Sequence, residues 1–231
     1  MLFGLDISSA AFWSAFGSIM LANIVLSGDN AVVIAMAART LQPEQQKKAI
    51  FWGSAAAIVM RIVLTIVAIQ LLTLPFLKIL GAILLVYIGV DLLKGGGDDE
   101  GHGKEINGMA AAIRTILVAD LVMSLDNVLA VAAAAKGNIP LLILGLLVSI
   151  PLIVFGATLL TKVMERYPII ITIGAALLGF LAGEMLLTDP AMTQHFGKIS
   201  EQNVLFAGIL GAVLVVILGT WLQKRSKNQD K

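Results

Sequence analysis

Seven stretches of about twenty mainly apolar residues, each long enough to cross a bilayer as a helix, follow one another at 12–37, 50–72, 74–93, 110–134, 141–160, 168–187 and 204–222. Little of such a chain is left to face water. The runs are continuous rather than alternating, which selects helices over a β-barrel. Charged residues make up only 13% of the chain and the mean hydropathy is +0.94, whereas a soluble domain is roughly 25% charged. The expected class is an all-α polytopic membrane protein whose constant partner is the lipid bilayer. Cysteine is absent, which removes disulfides, thiolate metal sites and cysteine nucleophiles. A formal net charge of +1 gives no basic field for nucleic acid. No basic segment precedes the first apolar stretch, so no cleaved signal peptide is expected.

The connecting segments carry an uneven charge. Of the sixteen Lys and Arg residues, twelve fall on one side: Arg39, Lys47 and Lys48; Lys94, Lys104 and Arg114; Lys162 and Arg166; and Lys224, Arg225, Lys227 and Lys231 in the tail. The other side has Lys78, Lys136 and Lys198, and Arg61 lies within the second span. The positive-inside rule then places the N-terminus outside and the C-terminus in the cytoplasm, which requires an odd number of crossings.

Two segments of the chain repeat. Ser27-Gly28-Asp29-Asn30-Ala31 in the first span matches Ser124-Leu125-Asp126-Asn127-Val128 in the fourth at an offset of 97, which also aligns Asn23 with Asp120. Pro75, Gly81 and Asp91 in the third span match Pro168, Gly174 and Glu184 in the sixth at an offset of 93. Each copy holds three spans, so the second enters from the opposite side. The expected organisation is two inverted three-helix repeats, 1–94 and 110–190, joined by a flexible acidic cytoplasmic linker at 95–109. Residues 191–231 follow as an outer loop, a seventh helix and a basic cytoplasmic tail. Inverted repeats of this kind place a transporter's site near the midplane, where the copies meet.

Asp29 and Asp126 lie well inside apolar spans, where a charge costs several kcal/mol unless it is paired or hydrated. Each is followed by an Asn, whose amide oxygen is also a hard donor. Together the two Asp-Asn pairs supply an oxygen-rich set suited to a hard divalent cation such as manganese, magnesium or calcium. Zinc and copper fit less well, since both histidines, His102 and His195, fall in loops. Asn23, Ser27 and Asn30 share one helix face, as do Asp120, Ser124 and Asn127. Asp29 joins Asn30 in one site only if that face is broad or the helix breaks, which Gly28 permits in the first copy; Leu125 stands there in the second. The candidate ligands are Asp29, Asn30, Asp126, Asn127, Asp120 and Asn23. For the Asn and Ser residues the plainer reading is hydrogen bonding between helices. Asp120 is open to three roles: ligand, proton carrier or partner of Arg61.

Arg61 lies roughly 16 Å into its span at 1.5 Å per residue, too deep to reach the interface easily. A salt bridge to an intramembrane acid is its expected state, with a gating role that competes with the cation as the alternative. Asp91 and Glu184 sit near span ends, at opposite mouths of the expected topology, as helix-end charges or as entrances to an ion path. The Gly95–Gly103 segment reads as a linker, or as a cation-sensing loop. Trp13, Trp52 and Trp221 read as interfacial anchors. No Ser-His, His-Glu-x-x-His or phosphate-loop pattern is present, so no enzymatic activity is expected.

At Ser27-Gly28-Asp29-Asn30-Ala31 and Asp120-Leu121-Val122-Met123-Ser124-Leu125-Asp126-Asn127-Val128 the chain resembles the TerC family of bacterial membrane proteins, in its compact branch. That resemblance implies a multi-pass protein of the bacterial plasma membrane and the efflux of a divalent metal, manganese first, with Asp29, Asn30, Asp126 and Asn127 at the family's acidic motif positions. The competing expectation is a non-transporting membrane scaffold, or a metal-handling partner of secreted or quality-control proteins in tellurium or metal stress. Association into a homo-oligomer is left open by the sequence.

Overall fold

The computed structural model describes residues 9–26, 28–71, 74–95, 104–134, 139–197 and 199–229, and the regular structure among them is helical throughout. Its helices are α1 (Ala10–Leu26), α2 (Gly28–Ala38), α3 (Pro43–Leu71), α4 (Leu77–Lys94), α5 (Lys104–Ala134), α6 (Ile139–Arg166), α7 (Ile169–Leu187), α8 (Pro190–Phe196) and α9 (Glu201–Gln229). Five of them, α3, α5, α6, α7 and α9, are long and apolar enough to cross a membrane. The other two expected spans take different forms. The first is described in two parts, α1 to Leu26 and α2 from Gly28, on either side of Ser27, which lies outside the described residues. The third is α4, 18 residues long, with Lys78, Asp91 and Lys94 near its ends.

Helix α5 starts at Lys104, so part of the segment expected as a 95–109 linker is helical. The glycines that oppose helix are concentrated at 95–97, 101 and 103, with Gly108 standing alone among helix-compatible residues. Residues 96–103, including most of the proposed cation-sensing loop, lie outside the described residues. The short helix α8 occupies what the sequence reads as outer loop.

Helix α3 packs against α5, and α6 packs against α1 and α2. Helix α4 lies on α7, and α9 runs along both. In lipid, close fit and hydrogen bonds drive this association, because lipid tails are as apolar as leucine. Small residues make the fit. A Cβ added at Gly53 on α3 would meet Ile116 Cδ1 of α5 at 2.8 Å, and one added at Gly145 on α6 would collide with Ile19 of α1. Gly179 and Gly183 bring α7 into direct backbone contact with Gly211 and Ala207 of α9. The resulting core includes Ile19, Ile34, Met36, Leu85, Ile116, Leu146 and Leu178. On the outside, α9 exposes Leu205, Phe206, Ile209, Val213 and Ile217, the surface that hydrocarbon covers. Trp13, Trp52 and Trp221 are exposed as well.

The C-terminal end of α4 is closed by distant side chains. Arg39, just beyond α2, donates Nη2 to the Leu92 carbonyl at 2.9 Å, and Gln223 of α9 donates Nε2 to the Leu93 carbonyl at 3.4 Å. These are among the last carbonyls of a helix, which lack intrahelical partners.

Candidate cation site

The start of α2 supplies the first part of the site. It places Asp29 in the first turn of α2, where it is half-buried, with Asn30 beside it only 3% exposed. Asn30 N–H donates to Asp29 Oδ1 at 2.8 Å. A carboxylate suits this position, since the first turn of a helix has unpaired N–H groups and the positive end of its dipole.

The second part comes from α3 and α5. Arg61 lies within α3 and is 1% exposed, while Asp120 and Ser124 lie one turn apart on α5 at 6% and 0%. The i, i+4 spacing puts both on the face that meets α3. Arg61 Nη2 forms a salt bridge with Asp120 Oδ1, and Arg61 Nε donates to Ser124 Oγ at 2.9 Å. Ser124 Oγ in turn donates to Asp120 Oδ2 at 3.2 Å. A hydroxyl has one proton to give and two lone pairs to accept with, so Ser124 closes the network without conflict. Of the three roles open to Asp120, the structure places it as Arg61's partner, with both oxygens engaged. A buried charge left alone by loss of its partner costs about 3–5 kcal/mol, so the two depend on each other.

The two parts adjoin. The Asp29 carboxylate is near enough to the Arg61 guanidinium and the Asp120 carboxylate to feel both charges, and α2 packs on α5. Asp126 and Asn127 follow Ser124 along α5, and Asn23 is in the last turn of α1; the side chains of these three lie outside the described ones. Asp91 and Glu184 are half-buried near the C-terminal ends of α4 and α7, helices that pack together.

One buried acid escaped the sequence reading. Asp189 has no exposed surface. It accepts from Ala191 N–H at 2.7 Å as the N-cap of α8, and also from Phe76, Lys78 and Ile79 N–H of α4 at 2.9, 3.0 and 3.3 Å. Burial alone would raise its pKa, but these backbone donors, Phe76 foremost, outweigh that and hold the carboxyl below its usual range. Phe76 has a left-handed backbone, with φ at 69°, a conformation that costs a non-glycine residue roughly 1–2 kcal/mol. The Asp189-Pro190 pair is an N-cap signal that the sequence does contain; the link to α4, across more than a hundred residues, has no local signature.

The profile of the integral membrane protein TerC family matches residues 8–227. The membrane protein YjbE of Bacillus subtilis is 40% identical over 205 residues, spanning 89% of this chain and 93% of its own. YkoY of the same organism is 24% identical across 96% of this chain and 76% of its own. The inner membrane protein YoaE of Escherichia coli is 23% identical over 90% of this chain, which corresponds to 42% of YoaE. No solved structure matches. With several apolar helices and a family match over nearly its whole length, the chain is a multi-pass integral membrane protein and belongs to the TerC family.

Proposed function

We propose that this protein is a transporter of a hard divalent cation, with manganese efflux as the specific activity. The observation that carries the reading is a polar, charged cluster inside an otherwise apolar helical bundle: Asp29 and Asn30 at the start of α2, beside Arg61, Asp120 and Ser124. Asp29, Asn30, Asp126 and Asn127 would hold the ion, with Asn23 and Asp120 flanking them. Hard oxygen donors suit manganese, magnesium or calcium.

The arrangement we propose around this site is seven crossings, N-terminus outside, as two inverted three-helix repeats plus α9. Residue pairs across the halves support it. Ile19 and Ile116 are related by the offset of 97. The glycines that face them, Gly145 and Gly53, occupy equivalent places on α6 and α3. The packing of α3 on α5 is answered by that of α6 on α1 and α2, while α4 and α7 pack on each other. Exchanging the halves carries each of these pairs onto another or onto itself.

Metal efflux from cells or proteoliposomes carrying Asp29→Asn or Asp126→Asn tests the function. Loss of a group that supports a metal ligand costs roughly 10–100-fold in affinity or activity, so removing a ligand should cost at least that. Unchanged metal tolerance and cellular manganese in both variants would leave a membrane scaffold or metal-handling partner as the better account.

A further inference from the structure

The buried ion pair has an unequal place in the repeat. Asp120 on α5 corresponds to Asn23 on α1 by the offset of 97. Arg61 on α3 corresponds to Ile153 on α6 by the offset of 92 that relates Gly53 to Gly145. One interface between the halves therefore carries a neutral pair where its counterpart has two charges. The acid appears only where the base appears, and the two are in contact.

We propose that Arg61 is a tethered counter-cation that sets the charge of the transport site. It cancels Asp120 and holds it, with Ser124, as part of the wall instead of a ligand. Asp29 and Asp126 then offer a net charge of minus two to the cargo. The proposal rests on the reading of this cluster as a divalent-cation site. Its physical basis is that each Asp120 oxygen already accepts from a protein donor, Oδ1 from Arg61 and Oδ2 from Ser124. In addition, α2, with Asp29 in its first turn, packs on α3 and α5, which carry the two charges, so removing either one changes the field at the cargo. Arg61 acts through Asp120 and is a positioning residue.

The test is binding of Mn²⁺ and of La³⁺ to the purified full-length protein, compared among Arg61→Met, Asp120→Asn, the double variant and Arg61→Lys. A unit charge several ångströms from a bound ion changes affinity roughly tenfold or more at an effective dielectric of about 20. Arg61→Met should raise the preference for La³⁺ over Mn²⁺ by about that factor, and Asp120→Asn should weaken Mn²⁺ binding by a similar one. The double variant and Arg61→Lys should bind both ions within about threefold of the parent protein, since each restores the charge. Arg61→Met leaves Asp120 unpaired in the bundle and is the least stable of the set; the double variant removes both charges and, set against Asp120→Asn, still decides the question. If the double variant binds Mn²⁺ as weakly as Asp120→Asn, Asp120 is itself a ligand and the proposal is wrong. A La³⁺ to Mn²⁺ preference in Arg61→Met, or an Mn²⁺ affinity in Asp120→Asn, equal to the parent's would also overturn it. If the parent protein binds neither ion, the transport reading fails instead, which separates the two.

Discussion

Asp120 and Asp189 are both buried carboxylates, satisfied in opposite ways. Asp120 is balanced by a full positive charge inside the bundle, and Asp189 by partial charges on backbone N–H groups at the edge of it. The second kind has a pH signature. The folded pKa of Asp189 is depressed below its ordinary 3.8, so its contribution to stability is fully present above that value and is lost as pH falls through the lower, folded one. Acid unfolding of the detergent-solubilised protein should therefore show a component below about pH 4 that is missing from Asp189→Asn. The same component surviving unchanged in that variant would assign it elsewhere. At neutral pH, Asp189→Ala should cost about 1–3 kcal/mol, the range for leaving buried donors unmet, read as a lower thermal midpoint. A midpoint equal to the parent's would mean that water replaces the carboxylate.

Among the elements, the α7–α9 contact is the most demanding, because backbone meets backbone. Gly183→Leu has to push α9 away from Ala207 and Gly208, and overpacking of this kind costs about 1–3 kcal/mol. Gly17→Leu is the matched control, since a Cβ there meets nothing within 4 Å. Thermal unfolding of both in detergent should separate them; equal midpoints would mean that α7 and α9 are not held by this seam. Every described span coincides with an apolar run, because length and continuity of hydrophobicity are local properties that lipid rewards directly. The helix start at Gly28 was also readable, since glycine permits a break there. By contrast, α8 was not, as seven residues carry no hydrophobic period, and neither were the side-chain caps on α4. The site is legible to the same degree. That Asp29 and Arg61 need partners follows from their depth alone. That Arg61 takes Asp120 and Ser124 does not, because a contact across some sixty residues depends on which helices become neighbours.

At the scale of the whole molecule, the absence of cysteine makes topology directly measurable, since any introduced thiol is the sole one. Glu44→Cys and Ser226→Cys should resist a membrane-impermeant maleimide in intact cells and react after permeabilisation, whereas His195→Cys should react in both. The opposite pattern would invert the proposed orientation. The packing has a further consequence for assembly. Helices α3 and α5, α6 and the α1–α2 pair, and α4 and α7 all join residues from different sides of the 96–103 segment, so the halves are interlocked and neither is a body of its own. A chain built this way is in effect a heterodimer with a covalent tie. Residues 1–95 and 104–231 produced as two polypeptides should co-purify through a tag on either, and each should be degraded when made alone; a stable, unpaired half would refute this. In the intact chain, the tie would then act only on local concentration, governing how fast the two halves find each other and leaving what they form unchanged.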